Sequence, residues 1–226
     1  RTIALTVEGE AWLPHVQAAL SGLTASSEIL FAKKRNQLTI SASQSVIALW
    51  LIPRLARIAE VTEATVSVQS FVLGVQSSKV DDVIQIRYGS GGWPHFYQQP
   101  LYQDVIVPVA APYLKSAEWT ALPRIACSGP RPDWGDFADA FGLPRLPLPH
   151  LRFDTFVNAM NAARNGLGVA LGSLPLCAAD MEAGRLVRLS SDQLENDGTY
   201  WLLASKSAIS ARQWDRLAEI AQRVQV

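Results

Sequence analysis

Cysteine is scarce in this 226-residue chain. Cys127 and Cys177 lie far apart, with no CxxC and no histidine at ligand spacing, so neither a disulfide framework nor a zinc site is expected. Two buried apolar thiols are the simpler reading. Long apolar runs are missing too. The longest stretch without a charge, Asn36 to Pro53, carries Asn, Gln, Thr and Ser, far from the ~20 apolar residues that span a bilayer. No membrane partner follows. Glu8 stands where a secretory signal needs its apolar run, so a cytoplasmic location is expected. There is no excess of one charge: 20 Lys plus Arg balance 20 Asp plus Glu, whereas gripping nucleic acid by its phosphates needs a basic surplus.

Catalytic signatures are absent as well. His15, His95 and His150 are scattered outside any Ser, Cys or acidic motif that nucleophilic chemistry needs. Gly166, Gly168 and Gly172 lack the strand, GxGxxG, helix order of a dinucleotide loop, and no Walker sequence occurs. The acids Asp81 and Asp82, and Asp136 and Asp139, read as solvated or capping. No enzyme activity, cofactor or metal is therefore expected.

What is present is core. Hydrophobic residues make up 49% and charged ones 18%, against about 25% charged in an average soluble domain, which excludes disorder as the main state. The length suits one large domain or two small ones. Near the N-terminus Thr6 can cap a helix whose apolar residues Trp12, Leu13, Val16, Ala19, Leu20, Leu23, Ile29 and Leu30 recur at three and four. Pro14 predicts a kink in it, and the basic residues 33–35 suit its C-terminal end. With nothing before it to pack on, its stripe needs a partner, either the next domain or a second chain.

From Leu38 onward strand and helix signals alternate, the pattern of an α/β fold with a parallel sheet. Strands are predicted at Leu38–Ala42, Thr65–Leu73, Val83–Tyr88, Asp104–Val109, Leu151–Phe153, Val169–Leu171, Leu186–Leu189 and Tyr200–Ala204, and between the fourth and fifth the chain passes through Ile125 to Cys127. Helices are predicted at Ser45–Glu60, bent or restarted at Pro53, then at Trp134–Phe141, Thr155–Asn165, Pro175–Glu182 and Ser210–Val224. Two strands run straight into helix starts. Leu38–Ala42 leads to Ser43, Gln44 and Ser45, and Leu151–Phe153 leads to Asp154 and Thr155. Free backbone N–H groups and hydroxyls at such points can hold an anion or polar ligand beyond the strand ends; plain N-capping is the alternative at each.

These residues bring a family into view. Leu5, Thr6, Val7, Glu8 and Gly9 resemble the end-of-wing signature of LysR-type transcriptional regulators, and the helix after them resembles the family's dimerising linker helix. Leu49 to Leu55 (LWLIPRL) resembles the run after the first strand of the effector domain. Ile86, Arg87, Tyr88, Gly89, Gly92, Trp93 and Pro94 resemble the IRYG…GxWP run of the glycine-cleavage-activator and beta-lactamase-regulator branch. Leu151 to Asp154, Gly166 to Leu171 and Ala183 to Val187 follow that branch in order and spacing. Departures are Gln85, where the branch has a small residue, and Lys79 to Asp82; a Gln85 pointing into the ligand cleft would change which effector is accepted.

The resemblance implies two α/β lobes, as in periplasmic solute-binding proteins, joined by two crossover strands and preceded by a long linker helix. Residues 1–35 would be the end of the wing and the dimerisation helix, and 36–226 the effector-binding domain. Within it, 36–101 with 205–226 would form subdomain I and 102–204 subdomain II. A small polar effector would lie between them, held by Ser43, Gln44 and Ser45 on one side and Asp154 and Thr155 on the other, with Ser70, Arg87 and Tyr88 at the floor or rim. For Arg87 a salt bridge to a nearby acid is the alternative. Trp12, Leu13, Val16, Leu20 and Leu23 would carry self-association as dimer or tetramer, and DNA would be met only through a winged helix-turn-helix missing from this chain. The rivals are a transporter's solute-binding protein, which would want a signal sequence and a start at the first strand, and an enzyme on the same fold, which would want a catalytic constellation.

Overall fold

A computed structural model describes residues 6–31, 37–71, 82–115, 118–144 and 146–222 of the chain. They divide into two compact units, Arg1–Gln37 and Leu38–Val226. The first is a single helix, α1 (Val7–Phe31), with Pro14 inside it. The Thr6 hydroxyl accepts from Gly9 N–H at 3.1 Å, the capping its position predicts. Trp12, Leu20 and Leu23 stand 69%, 57% and 67% exposed, so within this unit the stripe is bare. Ile29 and Leu30 of that stripe have side chains outside the described residues, as do residues 33–35.

The second unit is built on one mixed sheet of β1 (Gln37–Ala42), β2 (Thr65–Ser70), β3 (Ile84–Gly89), β4 (Tyr97–Ala110), β5 (Arg124–Cys127), β6 (Leu151–Phe153), β7 (Val169–Ser173), β8 (Val187–Arg188) and β9 (Leu194–Ala204). Their order is β2-β1-β3-β9-β4-β7-β5-β6, with β8 paired to β4. Pairs β1–β3, β5–β6 and β5–β7 are parallel, as the alternating pattern predicts. The sheet as a whole is not. β4 and β9 run antiparallel to each other and to their other neighbours. Both are longer than their apolar cores suggest, because Tyr97 to Gln103 pair with Thr199 to Ala204, and Leu194 and Glu195 with Ile106 and Val105, all far apart in sequence. β4 bonds β9 along its first part and β7 at Ile106 to Val109, with register shifts between Pro100 and Tyr102 and between Gln103 and Val105. These two strands thus join a half built on β2-β1-β3 to a half built on β7-β5-β6.

Helices cover the sheet: α2 (Gln44–Val46), α3 (Leu55–Thr62), α4 (Trp134–Phe141), α5 (Phe156–Arg164), α6 (Leu174–Glu182) and α7 (Ala211–Gln222). Between α2 and α3 the chain stays helical through a π turn, Ile47–Leu51, and a 3-10 turn, Ile52–Arg54, where Pro53 interrupts the regular ladder. α4 shows how firmly sequence fixes an element. Asp133 accepts from the backbone N–H of Gly135 and Asp136, Asp136 returns the bond to Asp133 N–H, and Gly142 ends the helix at φ 59°. The core runs through both halves, with Ile40, Trp50, Ile84, Ile86, Val107, Ile125, Met160, Ala170, Leu202 and Trp214 all buried.

Candidate functional site

Strand ends from both halves open on one cleft of about 950 Å³. Ser43, Gln44 and Ser45 reach it from the end of β1, Ser70 from the end of β2, and Ile86 and Tyr88 from β3. Cys127 and the loop 128–133 come from the end of β5, and Arg152, Asp154 and Thr155 from β6 and the start of α5. Ile106 of β4 and Tyr200 of β9 also line it.

The predicted helix starts behave differently. Ser43 is an N-cap, its hydroxyl accepting from Val46 N–H at 3.4 Å. Ser45 Oγ accepts from the N–H of Val157, 112 residues away in α5, at 3.1 Å. That bond joins the two halves. Thr155 occupies the cap position of α5 without capping it, and its Oγ1 is buried with no hydrogen-bond partner. A buried hydroxyl in that state lacks the compensation such groups normally have.

Arg87 does not line the cleft. Successive residues of a strand face opposite ways, so with Ile86 and Tyr88 turned inward Arg87 lies on the other face, its guanidinium 5.6 Å from the Trp93 ring centre. The same alternation corrects the reading of Gln85. It is 6% exposed and meets the His95 ring at 3.5 Å, away from the cleft. Cys127 is a second correction: it is half-buried in the cleft wall, and only Cys177 is a core thiol. Burial pushes the Cys127 thiol up, with Arg131 opposing and Asp154 adding to the rise.

Sequence reasoning missed the group at the centre. Arg131, from the loop after β5, donates through Nε to Asp104 Oδ2 at 2.7 Å and through its guanidinium to the Tyr200 hydroxyl. It lies 4.3 Å from the Phe156 ring centre and is flanked by Tyr88 and Tyr200. Asp104 is fully buried and its second oxygen, Oδ1, has no partner. Burial alone would draw the Arg131 guanidinium down, but the charges of Tyr200 and Asp104 outweigh it and raise its pKa. Burial pushes the Tyr200 and Tyr88 hydroxyls up as well, with Arg131 opposing in both. Tyr88 is fixed further by the Asn196 side-chain amide and by Gly198, where an added Cβ would fall 2.1 Å from its hydroxyl oxygen. The signal for Arg131 was available: the loop Ser128-Gly-Pro-Arg-Pro follows a strand end just as Ser43 and Thr155 do.

Among the described residues no cluster of three or more His, Cys, Asp or Glu is set to hold a metal, and no helix is long and apolar enough to cross a membrane. Hydroxyls, one buried ion pair and an apolar wall suit reversible binding of a small molecule.

Comparison with known proteins agrees with that chemistry. Residues 32–225 match the LysR substrate binding domain model. The glycine cleavage system transcriptional activator of Escherichia coli (strain K12) is 29% identical over 218 residues, spanning 92% of this chain and 71% of that protein. The transcriptional activator AmpR of Pseudomonas aeruginosa is 28% identical over 225 residues, spanning 93% and 74%. Among solved structures, the effector domain of that AmpR superposes with a TM-score of 0.66 at 25% identity over 84% of this chain and 97% of its own. CrgA of Neisseria meningitidis, a LysR-type regulator, shares the fold at a TM-score of 0.62 and 20% identity over 100% of this chain and 82% of its own. With the family model covering nearly the whole second unit, the chain belongs to the LysR family and carries the effector-binding domain of a LysR-type transcriptional regulator.

Proposed function

We propose that this domain senses a small polar metabolite bound in the cleft between its halves, with Ser43, Gln44, Ser45, Ser70, Tyr88, Asp154 and Thr155 around the ligand and Arg131 beneath it. The observation that carries this reading is the Thr155 hydroxyl, buried without a partner at a helix start that opens on a 950 Å³ cleft. The division into 36–101 with 205–226 and 102–204 is part of the proposal; β4 and β9 cross between the two. We read the protein as a cytoplasmic, non-enzymatic regulator that needs no cofactor. Its self-association runs through α1, with Trp12, Leu13, Val16, Leu20 and Leu23 at the contact. DNA is met outside this domain, in keeping with the zero net charge of the chain.

A metabolite library read by thermal shift tests it, since a ligand at 100 times its Kd stabilises by about 2.7 kcal/mol. Ser128→Trp fills the cleft from an exposed position, and Ser191→Trp is the control outside it. The hit disappears in the first and persists in the second. Thr155→Val, which removes only the hydroxyl, weakens the hit by about 0.5 to 1.5 kcal/mol. A hit indifferent to Ser128→Trp places the effector elsewhere.

A further inference from the structure

The cleft lining combines two chemistries. Ser43, Ser45, Thr155 and Tyr200 bring hydroxyls. Trp134 and Ala138 of α4, with Leu143, Leu146 and Leu148 after it, make an apolar end. Arg124 donates to Pro147 O at 3.5 Å and to Thr120 O at 2.5 Å. Leu148 lines the cleft while 85% exposed, so apolar surface there is uncovered.

Two opposite charges also line the cleft. Arg152 is paired in register with Ala126, which packs on Trp134, and Asp154 leads into Thr155. β6 ends at Phe153 and Asp154 sits in the bend that follows, so the two charges stand at the end of one strand. Among the described residues neither side chain has an ion pair or a side-chain hydrogen bond, although both line the cleft. Other charges of this unit are used by the protein itself. Arg131 is paired with Asp104, Asp133 caps α4, and Asp180 holds Arg164 and Arg185. Asp139, exposed on α4, is the remaining acid of the cleft.

We infer that the effector is a zwitterion with a large apolar side chain: its carboxylate meets Arg152, its ammonium meets Asp154, and its side chain lies against Trp134, Leu143 and Leu146. The cleft volume agrees. At about 950 Å³ it is near the top of the range of roughly 300 to 1,000 Å³ that holds drug-sized ligands, so a small zwitterion alone would leave the apolar end in water. This inference rests on the cleft being the effector site.

Isothermal titration of the whole chain with L-tryptophan and L-leucine tests it. Controls are tryptamine, which lacks the carboxylate, 3-indolepropionate, which lacks the ammonium, and glycine, which lacks the side chain. Both amino acids bind, and each control is weaker by roughly ten- to a hundredfold. Arg152→Gln brings L-tryptophan down to the level of tryptamine, and Asp154→Asn brings it down to that of 3-indolepropionate. Both residues are exposed, so the variants fold. Failure of both amino acids to bind at millimolar concentration overturns the inference, as does binding that survives both substitutions. If Ser128→Trp abolishes a library hit while neither amino acid binds, the cleft remains the effector site and only the zwitterion is wrong.

Discussion

Replacing Arg131 by methionine keeps most of the apolar stem against Phe156 and removes the charge. Asp104 is then left fully buried with neither carboxylate oxygen paired, because Oδ1 has no partner even in the intact protein. Stripping one member from a buried ion pair costs about 3 to 5 kcal/mol, and the lost bond to Tyr200 adds to that. Arg131's side chain is 18% exposed, so water reaches it in part and the lower end applies, about 3 kcal/mol. With urea m-values of about 1 to 3 kcal/mol/M, the unfolding midpoint drops by 1 M or more at unchanged slope. The companion variant Arg131→Met with Asp104→Leu removes both charges and restores stability to within about 1 kcal/mol of the parent, since a buried pair is worth little against apolar residues of similar volume. A single substitution costing under about 1 kcal/mol, or a double variant as unstable as the single, refutes the claim that this pair is buried and coupled.

Alkaline stability follows from the tyrosines. Burial raises Tyr88, Tyr102 and Tyr200 in the folded state, so their contribution is intact below the ordinary tyrosine pKa of about 10 and is lost as pH climbs through the folded values; absorbance at 295 nm should show them ionising together with unfolding. Cys177 is pushed up to about 12 by burial and Cys127 is raised too, so both thiols should label slowly at neutral pH and form no disulfide in mild peroxide. An intramolecular disulfide at low oxidant contradicts this. Gly198→Ala should destabilise by about 1 to 3 kcal/mol and loosen Tyr88, read as faster iodination of that ring. Sedimentation at micromolar concentration should show an oligomer that weakens when residues 1–33 are removed; a monomer in both forms removes α1 as the contact.

Elements whose signals are local could be read from the sequence. α4 is framed by its own caps, Asp133 and Gly142, and β6 by the Asp154–Thr155 break. The outer parts of β4 and β9 could not be read, because Pro100, Gln103 and Glu195 have no strand preference of their own and pair only with segments about a hundred residues away. The site divides the same way. Ser43 and Thr155 were legible as strand ends meeting helix starts. The facing of Gln85 and Arg87 was legible too, since Ile84, Gln85, Ile86, Arg87 and Tyr88 alternate apolar and polar and a period of two puts Gln85 and Arg87 on the face opposite Ile86 and Tyr88. For Arg131 the place beyond a strand end was legible but the ion pair was not, because its partners are remote: Asp104 is 27 residues before it and Tyr200 is 69 after it.

Among the described residues, Ser45 and Arg131 connect the halves at the cleft, and these contacts set what a ligand can do. Ser45 Oγ takes the Val157 N–H, and Arg131, from the half built on β5, lies beside Tyr88 of β3. A ligand shifts the separation of the halves only by the difference in its affinity for the two arrangements. One that displaces the Val157 bond must offset about 0.5 to 1.5 kcal/mol, whereas one that accepts the Ser45 hydroxyl proton leaves the bond in place and adds to it. Ser45→Ala separates the cases. It removes the bridge from the free protein and the donor from the complex, so a ligand that displaces the bridge binds the variant no worse than the parent. A ligand that uses the hydroxyl binds the variant several-fold more weakly, and titration of one hit against both proteins decides between them.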